Sequence, residues 1–175
     1  MIRVLYTQEQ ISARVAEMAA EIDRFYAGRQ FTLLALVNGA TFFAVDLSRA
    51  LKGQCLFDTM AASSYVGENS TGTICIRGEA KLPVKGKDIL LVDGVLDSGL
   101  TLWTLRKHLL EKGASSVKIA ALVSKQHPRH ELAKELQADW IGFDLPDLFV
   151  VGCGMDVNEL YRNLPYIGVV ENEAR

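Results

Sequence analysis

The chain has 175 residues, 49% of them apolar and 23% charged, with a formal net charge of −2. That length suits one domain with a sizeable core, and the near-neutral balance argues against nucleic acid as a partner, which calls for a strongly basic face. No apolar run reaches the ~20 residues that span a bilayer, residues 1–6 are too short an apolar stretch for a secretory signal, and Cys55, Cys75 and Cys153 are odd in number without C-x-x-C spacing, so a cytoplasmic protein with neither a membrane partner, a disulfide framework nor a zinc site is expected.

In chain order, Thr7 and Gln10 fit a capping box. Ile11, Val15, Met18, Ile22 and Phe25 follow at three- and four-residue spacing, which predicts an amphipathic helix ended by Gly28. Residues 31–37 form an apolar run broken by one Thr and followed by Asn38-Gly39, the pattern of a buried parallel strand and a turn. A helix over 41–51 and a strand over 54–61 come next. Residues 63–87 are rich in Gly, Ser, Thr, Asn and Lys, with one strand-like piece at 73–77. So long a segment with few core residues reads as a mobile functional lid, centred on 63–80. Alternation then resumes with a strand at 89–92, a helix over 101–112 closed by Gly113, and a strand at 117–123. A basic loop, 125–130, precedes a short helix over 131–136 and short strands at 140–143 and 149–151. Strand–helix–strand repetition predicts a single α/β domain over 1–175, a mostly parallel sheet flanked by helices.

Chemistry concentrates in residues 89–102, where a buried strand runs into Asp93, Asp97, a Ser98-Gly99 turn and a new helix. Ligands of open α/β sheets bind at the carboxyl ends of strands. The start of that helix offers free N–H groups and the positive end of a dipole to a phosphate. Ser98 and Thr101 add hydroxyls, and Gly99 lets the chain curl without a Cβ clash. The plainer alternative is a βα turn in which Asp97 or Ser98 only caps the helix.

The whole pattern resembles the signature of type I phosphoribosyltransferases: four apolar residues, an acidic pair, two apolar residues, then Asp-Ser/Thr-Gly-x-Thr. Three further segments, in the same order, are similar to the hypoxanthine-guanine members of that family: Ala62-Ser63-Ser64-Tyr65, residues 146–156 (PDLFVVGCGMD) and residues 161–168 (YRNLPYIG). The resemblance implies the family's fold, with a small hood formed by the chain termini and a purine-binding hood segment around 140–175. It also implies the reaction, in purine salvage: transfer of the 5-phosphoribosyl group from phosphoribosyl pyrophosphate (PRPP) to N9 of hypoxanthine or guanine, with Mg2+ as cofactor. A homodimer or homotetramer is implied as well.

Carried over residue by residue, Asp97 is the catalytic group that manages the purine N7 proton. Asp93, Ser98, Gly99, Leu100, Thr101, Asn38, Gly39 and Arg162 bind PRPP or its phosphates. Lys125 donates to the 6-oxo oxygen, Phe149 stacks on the base and Val150 contacts it through its backbone. Ser64 and Tyr65 belong to the lid, and Asp156 and Asp93 attend the metal. Without the resemblance, Lys125 reads as a solvated lysine and Asp156 with Arg162 as a surface pair. His127 and His130 read as surface residues, and Gly152-x-Gly154 lacks the third glycine of a dinucleotide fingerprint.

Two positions depart from the family pattern. Asp93-Gly94 stands where an acidic pair is usual, and Asn38 where a basic residue precedes the loop glycine. Loss of one charged hydrogen bond weakens binding by about 1.5–3 kcal/mol, so Gly94→Asp is expected to tighten PRPP binding. A nucleotide-binding homologue without turnover, and an enzyme with a shifted substrate such as xanthine, are the alternatives that these departures leave open.

Overall fold

The computed structural model describes residues 1–64 and 74–171. In chain order the elements are β1 (Ile2–Tyr6), α1 (Gln8–Tyr26), β2 (Phe31–Val37), α2 (Thr41–Ala50), β3 (Cys55–Ser64) and β4 (Ile74–Gly78). These are followed by β5 (Asp88–Leu96), α3 (Leu100–Glu111), β6 (Ser116–Lys125), a 3-10 turn (Glu131–Ala133), β7 (Trp140–Leu145), β8 (Val150–Val151) and β9 (Ile167–Val170).

Six strands form the main sheet in the order β4-β3-β2-β5-β6-β7. All neighbours are parallel except β3 and β4. The middle strands β2, β5 and β6 are buried on both faces, which explains their unbroken runs of Leu, Val, Ile and Ala. The connection β2–α2–β3 steps one way along the sheet and β5–α3–β6 the other. Right-handed crossovers in opposite directions place their helices on opposite faces. Accordingly α2 packs with α1 over β2 and β5, while α3 lies against β5, β6 and the 3-10 turn. The reversal leaves a crevice between the carboxyl ends of β2 and β5, the place where open α/β sheets bind ligands.

The α1 start is as expected: Thr7 Oγ1 accepts from Gln10 N, and Gln10 Oε1 accepts from Thr7 N at 2.9 Å. Its end is not. Ala27, at φ 48°, takes the left-handed cap position one residue ahead of Gly28, and its N–H donates to Asp23 O. Several other boundaries shift. β5 continues to Leu96, so Asp93 and Gly94 lie inside a strand and not after it. Pairing with β6 supports this extension as far as Leu96↔Ser124. Lys125 closes β6 instead of opening a loop, because it pairs with Leu145 of a β7 longer than expected. The helix expected over 131–136 is a single 3-10 turn. The expected lid begins and ends in ordered antiparallel ribbon, β3 with β4; Tyr65 lies outside the described residues.

A second sheet, order β1-β9-β8, is antiparallel throughout and covers the crevice side of the molecule. It brings Val150 and the segment that follows it over the ends of β2 and β5, and this is the small hood of the expected fold.

Candidate active site

A cleft of about 270 Å³ opens at the crevice. It is lined by Gly39 from β2's end, by Asp93, Gly94, Val95 and Asp97 from β5, by Lys125 from β6, and by Phe149, Val150, Met155, Asp156 and Arg162 from the hood. A smaller hollow of about 70 Å³ adjoins it, bounded by Asp93, Val95, Asp97, Ser98, Gly99 and Thr101 among others. Eleven residues singled out from the sequence thus meet in one place, although they span the chain from 39 to 162. A larger hollow of about 810 Å³ lies between α3 and the 3-10 turn, lined by residues such as Trp103, Leu110 and Leu132. It contains none of these residues and carries charges of both signs, so the smaller cleft is where the acids, hydroxyls and cations converge.

The turn that enters α3 is built for an anion. Gly99 is left-handed at φ 79°, and a Cβ there would come within 3.3 Å of both Ala133 Cβ and Leu136 Cδ2. The first backbone bond of the helix runs from Trp103 N to Gly99 O, so the N–H groups of the preceding turn point out of the helix unpaired within it. Ser98 Oγ accepts from Leu100 N at 3.4 Å, and no side chain caps the helix. Asp97 is therefore not an N-cap. Its Oδ2 lies 3.2 Å from Lys125 Nζ and its Oδ1 3.6 Å from His127 Nδ1. The exposed His127 noted in the sequence is thus a neighbour of the acid, and its other nitrogen lies 3.9 Å from Asp147.

Lys125 is the most enclosed of these groups, its side chain 11% exposed. Its Nζ stands 5.6 Å above the centre of the Phe149 ring, a cation–π distance. Phe149 itself is 64% exposed, an unusual state for a phenylalanine, and leaves a ring face available to a flat ligand. Arg162 is held by its surroundings: Nη1 donates to Gly154 O at 2.7 Å, and Nη2 lies 2.9 Å from both Asp156 Oδ1 and Glu159 Oε2. The Asp156–Arg162 pair is real, and both residues still line the cleft.

Asp93 sits at the floor between the two hollows. Burial pushes its carboxyl up to about 7, against hydrogen bonds from the Gly94 and Val95 backbone that hold it down. Among the described residues no cluster of three or more His, Cys, Asp or Glu side chains is placed to hold a metal. Asp93 and Asp156 are two carboxylates on one cleft, a donor set that fits Mg2+ completed by substrate phosphates and water.

Gly94 overturns one expectation. A Cβ at this position would lie 2.7 Å from Gly39 O and 3.3 Å from Gly39 C, and a Cβ at Gly154 would overlap the same carbonyl. The Asn38-Gly39 turn is therefore clasped between two glycines. An aspartate at 94 would not restore a missing hydroxyl acceptor; it would displace the turn. Asn38 is exposed and does not line the cleft, and Gly39 alone represents that turn there. Leu100 contributes backbone only, its side chain being buried.

Residues 3–158 match the phosphoribosyl transferase domain family. The chain belongs to the phosphoribosyltransferase family. This phosphoribosyltransferase is 34% identical over 172 residues to the hypoxanthine-guanine-xanthine phosphoribosyltransferase of Tritrichomonas foetus, covering 98% of this chain and 93% of the relative. It is 37% identical over 175 residues to the hypoxanthine-guanine phosphoribosyltransferase of Mycobacterium tuberculosis, covering 96% and 85%. Its fold superposes on a crystal structure of a hypoxanthine-guanine phosphoribosyltransferase from Bacillus anthracis with a TM-score of 0.91, 34% identity, and coverage of 98% and 100%. Sequence reasoning about this phosphoribosyltransferase assigned no role to Val95 or Met155, which also line the cleft; both are apolar, and nothing in an apolar residue's identity marks it as lining a site.

Proposed function

We propose that this phosphoribosyltransferase transfers the 5-phosphoribosyl group of PRPP to N9 of hypoxanthine or guanine, giving IMP or GMP and pyrophosphate. The observation that carries this reading is the adjacency of a helix start without a side-chain cap, an Asp97 that does not serve as that cap and an exposed Phe149 within two joined hollows.

The 5′-phosphate occupies the smaller hollow, where Ser98, Thr101 and the first N–H groups of α3 donate to it. Asp93 accepts from a ribose hydroxyl at the floor between the hollows. The base lies against the Phe149 ring with its edge along the Val150 backbone. Lys125 Nζ donates to the 6-oxo oxygen, whereas a 6-amino group would present a donor to a donor and leave both unpaired, so adenine is rejected. As N9 bonds to C1′ and the C1′–pyrophosphate bond breaks, the ring becomes more acidic and the Asp97 carboxylate takes the N7 proton. Arg162 and the Gly39 turn face the departing pyrophosphate. Asp156 and Asp93 would hold Mg2+, which supplies charge neutralisation for the pyrophosphate when bound.

No helix among the described residues is long and apolar enough to cross a membrane, in keeping with an enzyme of the cytoplasm. A homodimer or homotetramer is the expected assembly, and analytical ultracentrifugation tests it. The reaction itself is tested by incubating the protein with Mg2+, PRPP and, separately, hypoxanthine, guanine, xanthine and adenine. Nucleoside monophosphate is expected with the first two and not with adenine. Nucleotide binding without product from any base would leave a binding protein in place of an enzyme.

A further inference from the structure

The two residues given opposite tasks at the base, Asp97 and Lys125, sit where the sheet stops supporting them. The β5–β6 ladder ends at Leu96↔Ser124. Asp97 lies one residue past it in the turn, and Lys125 keeps ladder support only from β7. Their separation is therefore not set by β5–β6 pairing, yet Asp97 Oδ2 and Lys125 Nζ stand 3.2 Å apart.

Arg129 spans that gap. Its Nη1 donates to Asp97 O, and lies 3.3 Å from both Leu96 O and Lys125 O, while Nη2 donates to Ser124 Oγ at 3.1 Å. The acceptors are the last carbonyls of β5 and its turn on one side, and the closing residues of β6 on the other. Arg129 Cδ also packs 3.5 Å from where a Cβ on Gly99 would be, and the adjacent His130 N donates to Ser98 O at 2.8 Å. One planar fork with five donors can meet acceptors on two strands at once; a lysine's compact ammonium cannot.

We propose that Arg129 is a positioning residue: it ties the carbonyls of Asp97 and Lys125 into one unit and so sets the proton acceptor and the 6-oxo donor at a fixed spacing across the base. Arg129 lines neither hollow and touches no reacting atom. It acts through the two residues that do, and the inference rests on the reaction given above. It also accounts for the compact 125–130 loop: the chain leaves β6 at Lys125 and returns four residues later to brace the strand end it has just left.

The test compares Arg129→Ala and Arg129→Lys with the unaltered protein in steady-state kinetics, varying PRPP and base separately, alongside thermal melting. A displacement of about 1 Å in a catalytic group costs on the order of 100-fold in rate. Arg129→Ala is expected to lower kcat with hypoxanthine by roughly 10- to 100-fold, with KM for PRPP little changed. The ratio of kcat/KM for hypoxanthine over adenine should fall, because Lys125 is no longer held to the 6-oxo position. Arg129→Lys, keeping the charge but not the fork, should fall between, and it supplies the comparison if the alanine variant does not fold. A variant that melts like the unaltered protein and turns over at its rate and base preference would overturn the role of Arg129 alone. Loss confined to KM for PRPP, or a loss of kcat with base preference intact, would reassign Arg129 to general support of the turn. An unaltered protein that makes no nucleotide would overturn the reaction, and with it the role of Arg129.

Discussion

The glycine at 94 is the most informative single position to perturb, because pattern and packing demand opposite outcomes. Judged from family pattern, an acid here adds a hydroxyl acceptor and tightens PRPP. Judged from packing, Gly94→Ala already places a methyl 2.7 Å from Gly39 O and 3.3 Å from Gly39 C. Both are backbone atoms of a turn that Gly154 clasps from the other side, so the turn must move as a whole. Forcing an extra methyl into such packing costs about 1–3 kcal/mol. At ~1.4 kcal/mol per tenfold, displacing the turn from its bound geometry weakens PRPP by about 5- to 150-fold. Gly94→Asp carries the same contact and adds a buried carboxylate beside Asp93, so its loss should be at least as large. The assay is initial rate against PRPP at saturating hypoxanthine, then against hypoxanthine at saturating PRPP. KM for PRPP should rise in both variants while KM for hypoxanthine stays within about twofold. Tighter PRPP with Gly94→Asp, or an unmoved KM with Gly94→Ala, would refute the packing argument and return the position to the family pattern.

Three further outcomes follow from the same geometry. Asp97→Asn keeps the shape but cannot take the N7 proton, so kcat should fall by roughly 100- to 10,000-fold with KM for PRPP nearly unchanged; single-turnover quench measurements of nucleotide formation check it. Lys125→Gln should raise KM for hypoxanthine and guanine and narrow the gap to adenine, measured as the ratio of kcat/KM values. Asp93 has a carboxyl raised to about 7 in the fold from an ordinary value near 3.8, so the native state holds this proton more tightly than the unfolded chain. Its contribution to stability is present at low pH, declines as pH rises from about 4 to 7, and is lost above that. Asp93→Asn should accordingly melt higher than the unaltered protein at pH 8 while losing PRPP affinity; equal or lower melting at pH 8 would contradict the buried, destabilised carboxylate.

Features written in local chemistry were legible from the chain. The Thr7–Gln10 box predicts its own helix start because both partners lie within three residues. The entry to α3 was legible because a strand, an acid and Ser98-Gly99 in sequence leave few geometries open. Features that depend on distant partners were not. β1 and β9 pair across some 165 residues, and neither shows enough alternation alone to mark a strand. Lys125 looked like loop because its strand partner, Leu145, lies twenty residues on. The crowding at Gly94 was hidden for the same reason: the carbonyl that a side chain there would meet belongs to Gly39, in the turn after β2, some 55 residues earlier. Asp97 lines the cleft, but its freedom from capping duty became visible only once Gly99 took the N-cap position.

The placement of substrate in the two joined hollows is tested most directly by a crystal structure of the protein with guanosine 5′-monophosphate. The phosphate is expected at Ser98–Thr101 on the start of α3, the base on the Phe149 ring, and the 6-oxo oxygen within hydrogen-bond reach of Lys125 Nζ. A nucleotide bound elsewhere, or with its phosphate away from that helix start, would contradict it.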